Sequence, residues 1–493
     1  MARTSTPWQR TLALAAAAVA AACSSSGSTT TPPPSGDYSI AIFNGDNQTA
    51  GVGTTLTTPL TVTVTDGNGA PVPGVTVSWA IVNGGGSIAP VSATTDSAGH
   101  ASAIFTLGTV AGLQSVTAMV SSNIVTFAAT ATSTVPVTSP QLVATWPVPT
   151  GATYDHDAFV RDGLAFVCDW NEGVLILDVG NGVRGGSPSN PVLVSQLITA
   201  NNGVSSAAVH NAWWFHNPVT GENRYLFIGQ EGPGIVGSAS SGDIHIVDVS
   251  DLSHPVEVGF IHVPGAGTHN FWMDESNQVL YAAYYNAGVI KVDVSGTLSG
   301  DMSSRIVAQV KPGGAGNTYV WGVMLANGTL YATDMVSGFW ALDPATLAVR
   351  GGGNNVPERY GSDQWVYGQY AYSGTWGNRL ARGNAVKVWS LDAGGEPELA
   401  DSIIIPNIST VSDVAVTADG RMLVLTAEGG SGNGLYVYSR SNPQHPTQVG
   451  FYSVPVGLHT GEVATISGRT YVFAARDPGQ QELDIFDITG LVP

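Results

Sequence analysis

This sequence of 493 residues holds only 2 Cys, only 17 Lys and Arg together, and only 11% charged residues. Two cysteines cannot build a disulfide framework. Few basic residues against 36 Asp and Glu leave a formal charge of −19. That balance argues against nucleic acid as a partner, because phosphate contacts need Lys and Arg. It argues equally against electrostatic docking on anionic lipid. The sequence also lacks a Gly-x-Ser-x-Gly elbow, a phosphate loop and a His-Glu-x-x-His pair, so no catalytic motif of those kinds is written in it. What it does have is 43% hydrophobic residues, too many for a disordered chain, together with 61 Gly and 28 Pro. The length implies two or more domains. The whole balance is that of an exported, β-rich protein.

The N-terminus reads as an address. Arg3 and Arg10 precede an apolar run from Thr11 to Ala22 that ends at Cys23. The run is too short to span a bilayer, which takes about 20 apolar residues, and reads as a cleaved signal peptide over 1–22. Ala20, Ala21 and Ala22 before Cys23 resemble a bacterial lipobox, although Ala20 stands where that family usually has Leu. The resemblance implies lipidation at Cys23, and Ser24 after it implies an outer-membrane protein of the cell envelope. Residues 23–37, rich in Ser, Thr and Pro, form a tether. The membrane partner is then reached through an N-terminal lipid.

Residues 38–135 contain no Lys, Arg or Cys and alternate strongly. Leu60, Val62 and Val64 point one way and Thr61, Thr63 and Thr65 the other, the period of a half-buried strand. Short strands between turn signals such as Asp66-Gly67-Asn68-Gly69 predict a β-sandwich. The run from Asp66 through Gly69, Pro71, Val72, Gly74 and Val77 to Trp79 resembles the bacterial Ig-like domain of invasin and intimin type (group 1). Thr95, Asp96, Gly99 and Ala101 fit the same pattern. The resemblance implies an extracellular stalk or spacer, in some cases part of an adhesin.

Internal repeats organise residues 140–493. An apolar run followed by Asp or Ser ends at Asp178, Asp248, Asp293, Asp343, Ser390, Ser439 and Asp487. After a long first interval the copies recur roughly every 48 residues, the length of a four-stranded propeller blade. Segments Pro255 to Pro264 and Pro446 to Pro455 are close twins, and each follows one of these marks. The last mark has no such segment behind it, whereas Pro140 to Pro149 matches the pattern at the start. The N-terminal strand is therefore expected to complete the final blade, which removes an exposed sheet edge. The expected fold is all-β, an Ig-like sandwich followed by a seven-bladed propeller. The repeats resemble the LVIVD-repeat family of bacterial surface propellers, most clearly over His269 to Ser295, with copies four to six drifted. That resemblance implies a fold and scarcely a function.

Chemistry, if any, is expected at the blade starts. His156, His210, His269 and His459 hold the same place in their repeats, before a first strand that lines a propeller's channel. Asp413 takes that place in blade six, with Trp321 and Trp365 near it in blades four and five. These seven are the candidate ligand-binding residues. Two readings stand. In one, the imidazoles bond neighbouring backbone, and the protein is a lipid-anchored binding, adhesion or scaffold protein without a cofactor. Its partner is then a surface protein or polysaccharide. In the other, a transition metal such as copper or zinc sits on His156, His210 and His269 in an oxidoreductase or hydrolase, with Glu462 as base. Trp213, Trp214 and Trp376 lie in less regular stretches and offer stacking surfaces. Cys168 sits in an apolar strand and reads as a packing residue.

Overall fold

The computed structural model describes residues 38–108, 112–132, 139–147, 152, 155–199, 208–232, 242–314, 318–353, 359–377, 381–392, 394–476 and 481–491. The signal segment, Cys23 and the tether lie outside the described residues. The chain divides into two compact units, Met1–Val135 and Pro136–Pro493.

The first unit is a sandwich of a four-stranded and a five-stranded sheet. Leu60–Thr65 buries every second residue, and Leu60, Val62 and Val64 join Val77, Trp79, Phe105 and Phe127 in one core. The signature residues are turn formers. The Asp66 carboxylate accepts the backbone N–H groups of Asn68 and Ala70, and Asp96 repeats the device with Ala98 and His100. Gly99 has φ +75°, and a Cβ there would sit 2.6 Å from the carbonyl oxygen of Val64. Only glycine fits so close an approach.

Among the described residues the second unit forms seven sheets, the blades of a propeller, antiparallel apart from one short parallel pairing of Gly300–Asp301 with Val256–Ile261. Their innermost strands are Asp157–Arg161, Val209–Asn217, Phe271–Asp274, Val320–Ala326, Tyr360–Tyr367, Thr410–Val416 and Thr460–Ile466. The middle strands are buried almost throughout, as in Leu164–Asp169 and Gly173–Asp178, because each packs between neighbouring blades. This explains their unbroken apolar runs. The repeated Asp closes the third strand and caps the turn after it. Asp178 accepts five backbone N–H groups, from Gly180, Asn181, Gly182, Arg184 and Gly186. Burial pushes this carboxyl up, but the N–H groups of Arg184, Gly180, Gly182 and Gly186 outweigh it and hold the group at about 2. Asp248, Asp293 and Asp487 each cap a backbone N–H two residues on in the same way.

Closure comes from the N-terminal strand. Gln141–Pro147 pairs antiparallel with Glu482–Asp487 and forms the outer strand of the seventh sheet. The twin segments supply the equivalent outer strands Val256–Ile261 and Thr447–Ser453. The sequence of pairings therefore makes the last blade from both ends of the unit.

Candidate functional site

First strands and second strands of each blade meet as hairpins, so the start of one and the end of the other share one end of the channel. The backbone N–H of His156 bonds the carbonyl of Cys168, His269 that of Ala283, and His459 that of Ala475. These contacts place the histidines beside the ends of the second strands, where Trp170, Glu231, Tyr285 and Trp376 lie.

The histidines converge. Ring centroids are 4.2 Å apart for His156 and His210, 3.8 Å for His210 and His269, and 4.5 Å for His156 and His459. The ring continues from His269 to Trp321 at 4.1 Å, on to Trp376 at 4.8 Å, and back to His459 at 6.1 Å. Trp170 stacks on His156, and Tyr285 meets His269 edge-on. Six aromatic side chains thus form a closed circuit at the channel mouth. Blade five contributes Trp376, from its second strand, and Trp365 lines the cavity farther along the first strand.

The hydrogen bonds separate these histidines. His459 Nδ1 lies 3.2 Å from Glu428 Oε1. Neither ring nitrogen of His210 or His269, nor Nδ1 of His156, has a hydrogen-bond partner among the described residues. His210 therefore does not brace a blade turn through its ring, whereas His269 keeps a weaker interaction with the backbone of Trp321 and the side chain of Asn270. Burial first, and the facing imidazoles second, hold His156, His210 and His269 well below the usual histidine range. Burial thus favours the neutral form of these three rings, the form that ligates metals. His156 and His210 each place a ring nitrogen, and Glu231 a carboxylate oxygen, so that all three atoms lie within 4.8 Å of one another. All three residues are buried.

Next to this mouth is a cavity of about 210 Å³ lined by side chains from all seven innermost strands. Trp213, Trp272, Trp321 and Trp365 form much of its wall, and Asp157, Asp363, Asp413 and Glu462 form an acidic band. Each of the four carboxylates has some surface open to the cavity, yet each is enclosed by protein. Burial, then the charge of Asp413, pushes Asp157 up to about 8. Burial, then Asp157 and Asp413, does the same to Glu462. Asp363 rises by burial and by the charge of Asp413, with which it shares a hydrogen bond, and Asp413 rises by burial. Two carboxyls so close keep a proton between them. Glu462 thus belongs to the acidic band and not to the histidine and glutamate cluster.

Four of the seven sequence candidates, the histidines, meet with Trp321 in the aromatic circuit, while Asp413 and Trp365 line the adjoining cavity. Sequence reading missed Glu231, Tyr285 and Asp363. The repeat alignment followed the starts of first strands, whereas Glu231 and Tyr285 follow second strands. Trp214 packs in a blade core, with its Nε1 donating to the carbonyl of Asn223. Cys168 is buried, and burial followed by Asp157, Asp155 and Asp169 pushes its thiol far up, so it is no nucleophile.

Comparison with known proteins agrees with this architecture. Residues 43–136 match the family model of the bacterial Ig-like domain (group 1). The LVIVD repeat model matches residues 156–199, 239–262 and 358–381, which fall in blades one, two and five. The chain thus carries a bacterial Ig-like domain followed by LVIVD repeats. No curated protein matches it. Among solved structures, a chain of the mitotic checkpoint complex aligns at 13% identity and TM-score 0.51, over 72% of this chain and 93% of that one. The β-propeller domain of Cps50 (Swd1) from Myceliophteria thermophila aligns at 13% identity and TM-score 0.49, over 71% and 100%. At such identity the likeness to the mitotic checkpoint complex chain concerns the fold alone.

Proposed function

We propose that this chain is a lipid-anchored binding protein of the cell envelope that takes its ligand in the propeller channel. The lipid at Cys23 and the tether hold it at the outer membrane, and the Ig-like unit serves as spacer. One observation carries the binding role. Seven innermost strands send aromatic, imidazole and carboxyl groups into a single cavity, and buried polar atoms at its mouth have no partner among the described residues. A buried unpaired polar atom costs about 1–3 kcal/mol, and a ligand that pairs it recovers that cost. Four tryptophans offer flat apolar faces beside polar groups, the composition of a site for a sugar ring. A surface polysaccharide fits this wall better than an extended protein face does. The Ig-like domain, a module of extracellular and envelope proteins, supports the location.

The tryptophans make the test direct. Oligosaccharides released from the host envelope are titrated into the purified protein while tryptophan emission is followed. A saturable change is expected, weakened at least 10-fold by Trp365→Ala. No saturable change, or one that survives Trp365→Ala at full affinity, would remove the channel from the binding role.

A further inference from the structure

The strongest unexplained feature is the group of buried, unpartnered imidazole nitrogens at the channel mouth. A dry protein interior does not ordinarily turn such atoms toward one another, since each forfeits a hydrogen bond. Three neutral or acceptor-bearing side chains there face a common point: His156, His210 and Glu231. We propose that this point is a binding site for one divalent transition-metal ion, held by a ring nitrogen of His156, a ring nitrogen of His210 and the Glu231 carboxylate. The inference goes beyond the binding role above; it shares with that role the unpaired atoms at the mouth, but its ligands are not part of the tryptophan wall.

The donor set selects the class of ion. Two imidazoles and one carboxylate suit zinc, copper, iron or nickel, and suit calcium or magnesium poorly, because those take oxygen ligands almost exclusively. The geometry needs only a small contraction. Bonds of about 2.0–2.1 Å in a tetrahedral site put ligand atoms roughly 3.3 Å apart, against 4.8 Å as the upper bound here. The three atoms draw together by up to about 1.5 Å when the ion binds. Glu231 is already oriented, since the Tyr285 hydroxyl donates to its Oε1. Tyr285 is thus a positioning residue, of the kind that commonly fixes a metal-binding carboxylate. His156 is held by the stacked Trp170. His269 lies against His210, but its ring nitrogens fall outside the three-residue cluster.

The test uses the purified protein stripped of metal with a chelator and titrated by calorimetry with Zn²⁺ alone, then with Cu²⁺ alone. One ion per chain is expected, with affinity reduced at least 100-fold by His210→Ala and about 10- to 100-fold by Glu231→Gln. Tyr285→Phe is expected to weaken binding about 10-fold without changing the one-to-one stoichiometry. Thermal melts of the metal-free variants establish that each is folded, and Glu231→Gln keeps the question answerable should His210→Ala not fold. The exposed His254 and His445 provide the control, since a His254→Ala/His445→Ala double variant should bind as the parent does. Failure of both ions to bind stoichiometrically overturns the site. So does binding that survives both His210→Ala and Glu231→Gln, or that is lost in the double control.

Discussion

Deleting residues 139–147 should abolish the thermal unfolding transition of the propeller unit at its parent temperature. The strand Gln141–Pro147 is the outer member of the seventh blade, paired from Gln141 with Asp487 to Pro147 with Glu482 around a shift in register at Val143. Its removal leaves the backbone groups of Glu482–Asp487 without their ladder partners on that side. It also strips Val143, Ala144 and Trp146 from the core they share with blade one. Thr145 Oγ1 donates to Asp484 Oδ1 at 2.7 Å, and Asp484 is fully buried against Arg476. A handful of backbone bonds at about 1 kcal/mol each, plus the lost apolar burial, exceeds 5 kcal/mol. In a unit this size that lowers the midpoint by at least about 7 °C. No disulfide is available to hold the ring closed, as the unit's one cysteine, Cys168, is free. Scanning calorimetry should show the loss confined to the propeller transition, with the Ig-like unit melting as before. An unchanged propeller transition would mean that the strand is dispensable and the closure ornamental.

Glu462→Gln should stabilise the protein at pH 8.5 by about 2 kcal/mol and leave it nearly unchanged at pH 4.5. Burial and the charges of Asp157 and Asp413 push the Glu462 carboxyl up to about 8. A carboxyl raised in the folded state contributes stability that is complete below its unfolded value, near 4.5, and is lost as pH rises through 8. The full shift corresponds to a larger figure at about 1.4 kcal/mol per unit. Glu462 is only half-buried, and solvent screening brings the expectation down to about 2 kcal/mol. Glutamine copies the protonated carboxyl at every pH, so its advantage grows between pH 4.5 and 8 and then levels off. The histidines act in the opposite sense. His156, His210 and His269 are held below the ordinary value, so their contribution is present above pH 6.5 and is lost as pH falls below it. Parent stability should therefore be greatest in the mildly acid to neutral range, and Glu462→Gln should shift that optimum upward. Equal gains in melting temperature at pH 4.5 and pH 8.5 would contradict the assigned environment.

Much of this architecture was legible before any coordinates. Alternation at Leu60, Val62 and Val64 marks a half-buried strand because one face of a sandwich is wet. The Asp marks repeat because each third strand must satisfy the N–H groups of the turn that follows it, as Asp178 does. The missing outer strand at Asp487 and the spare one at Pro140 to Pro149 announce closure, since an open edge is a hazard. The site was legible only in part. Equal positions of His156, His210, His269 and His459 within repeats fix their place along a blade. They do not say that the rings meet, which depends on how narrow the channel is at that level. Glu231 escaped because it follows a second strand, and only the hairpin geometry brings that end to the same mouth. Trp365 stood in for Trp376 for the same reason. The raised carboxyls of Asp157, Asp363 and Glu462 come from mutual proximity across blades far apart in sequence, which no local pattern encodes.

The most direct test of the converging histidines is selective ¹⁵N labelling of the imidazoles, with spectra of the metal-stripped protein at pH 5.5 and again after one equivalent of Zn²⁺. At pH 5.5 His156, His210 and His269, assigned by single substitution, should each keep one protonated and one bare ring nitrogen, the pattern of neutral imidazole. Zinc should then shift a nitrogen of His156 and one of His210. Imidazolium patterns for these three residues, titrating near pH 6.5 as solvated histidines do, would contradict a closed and buried circuit at the channel mouth.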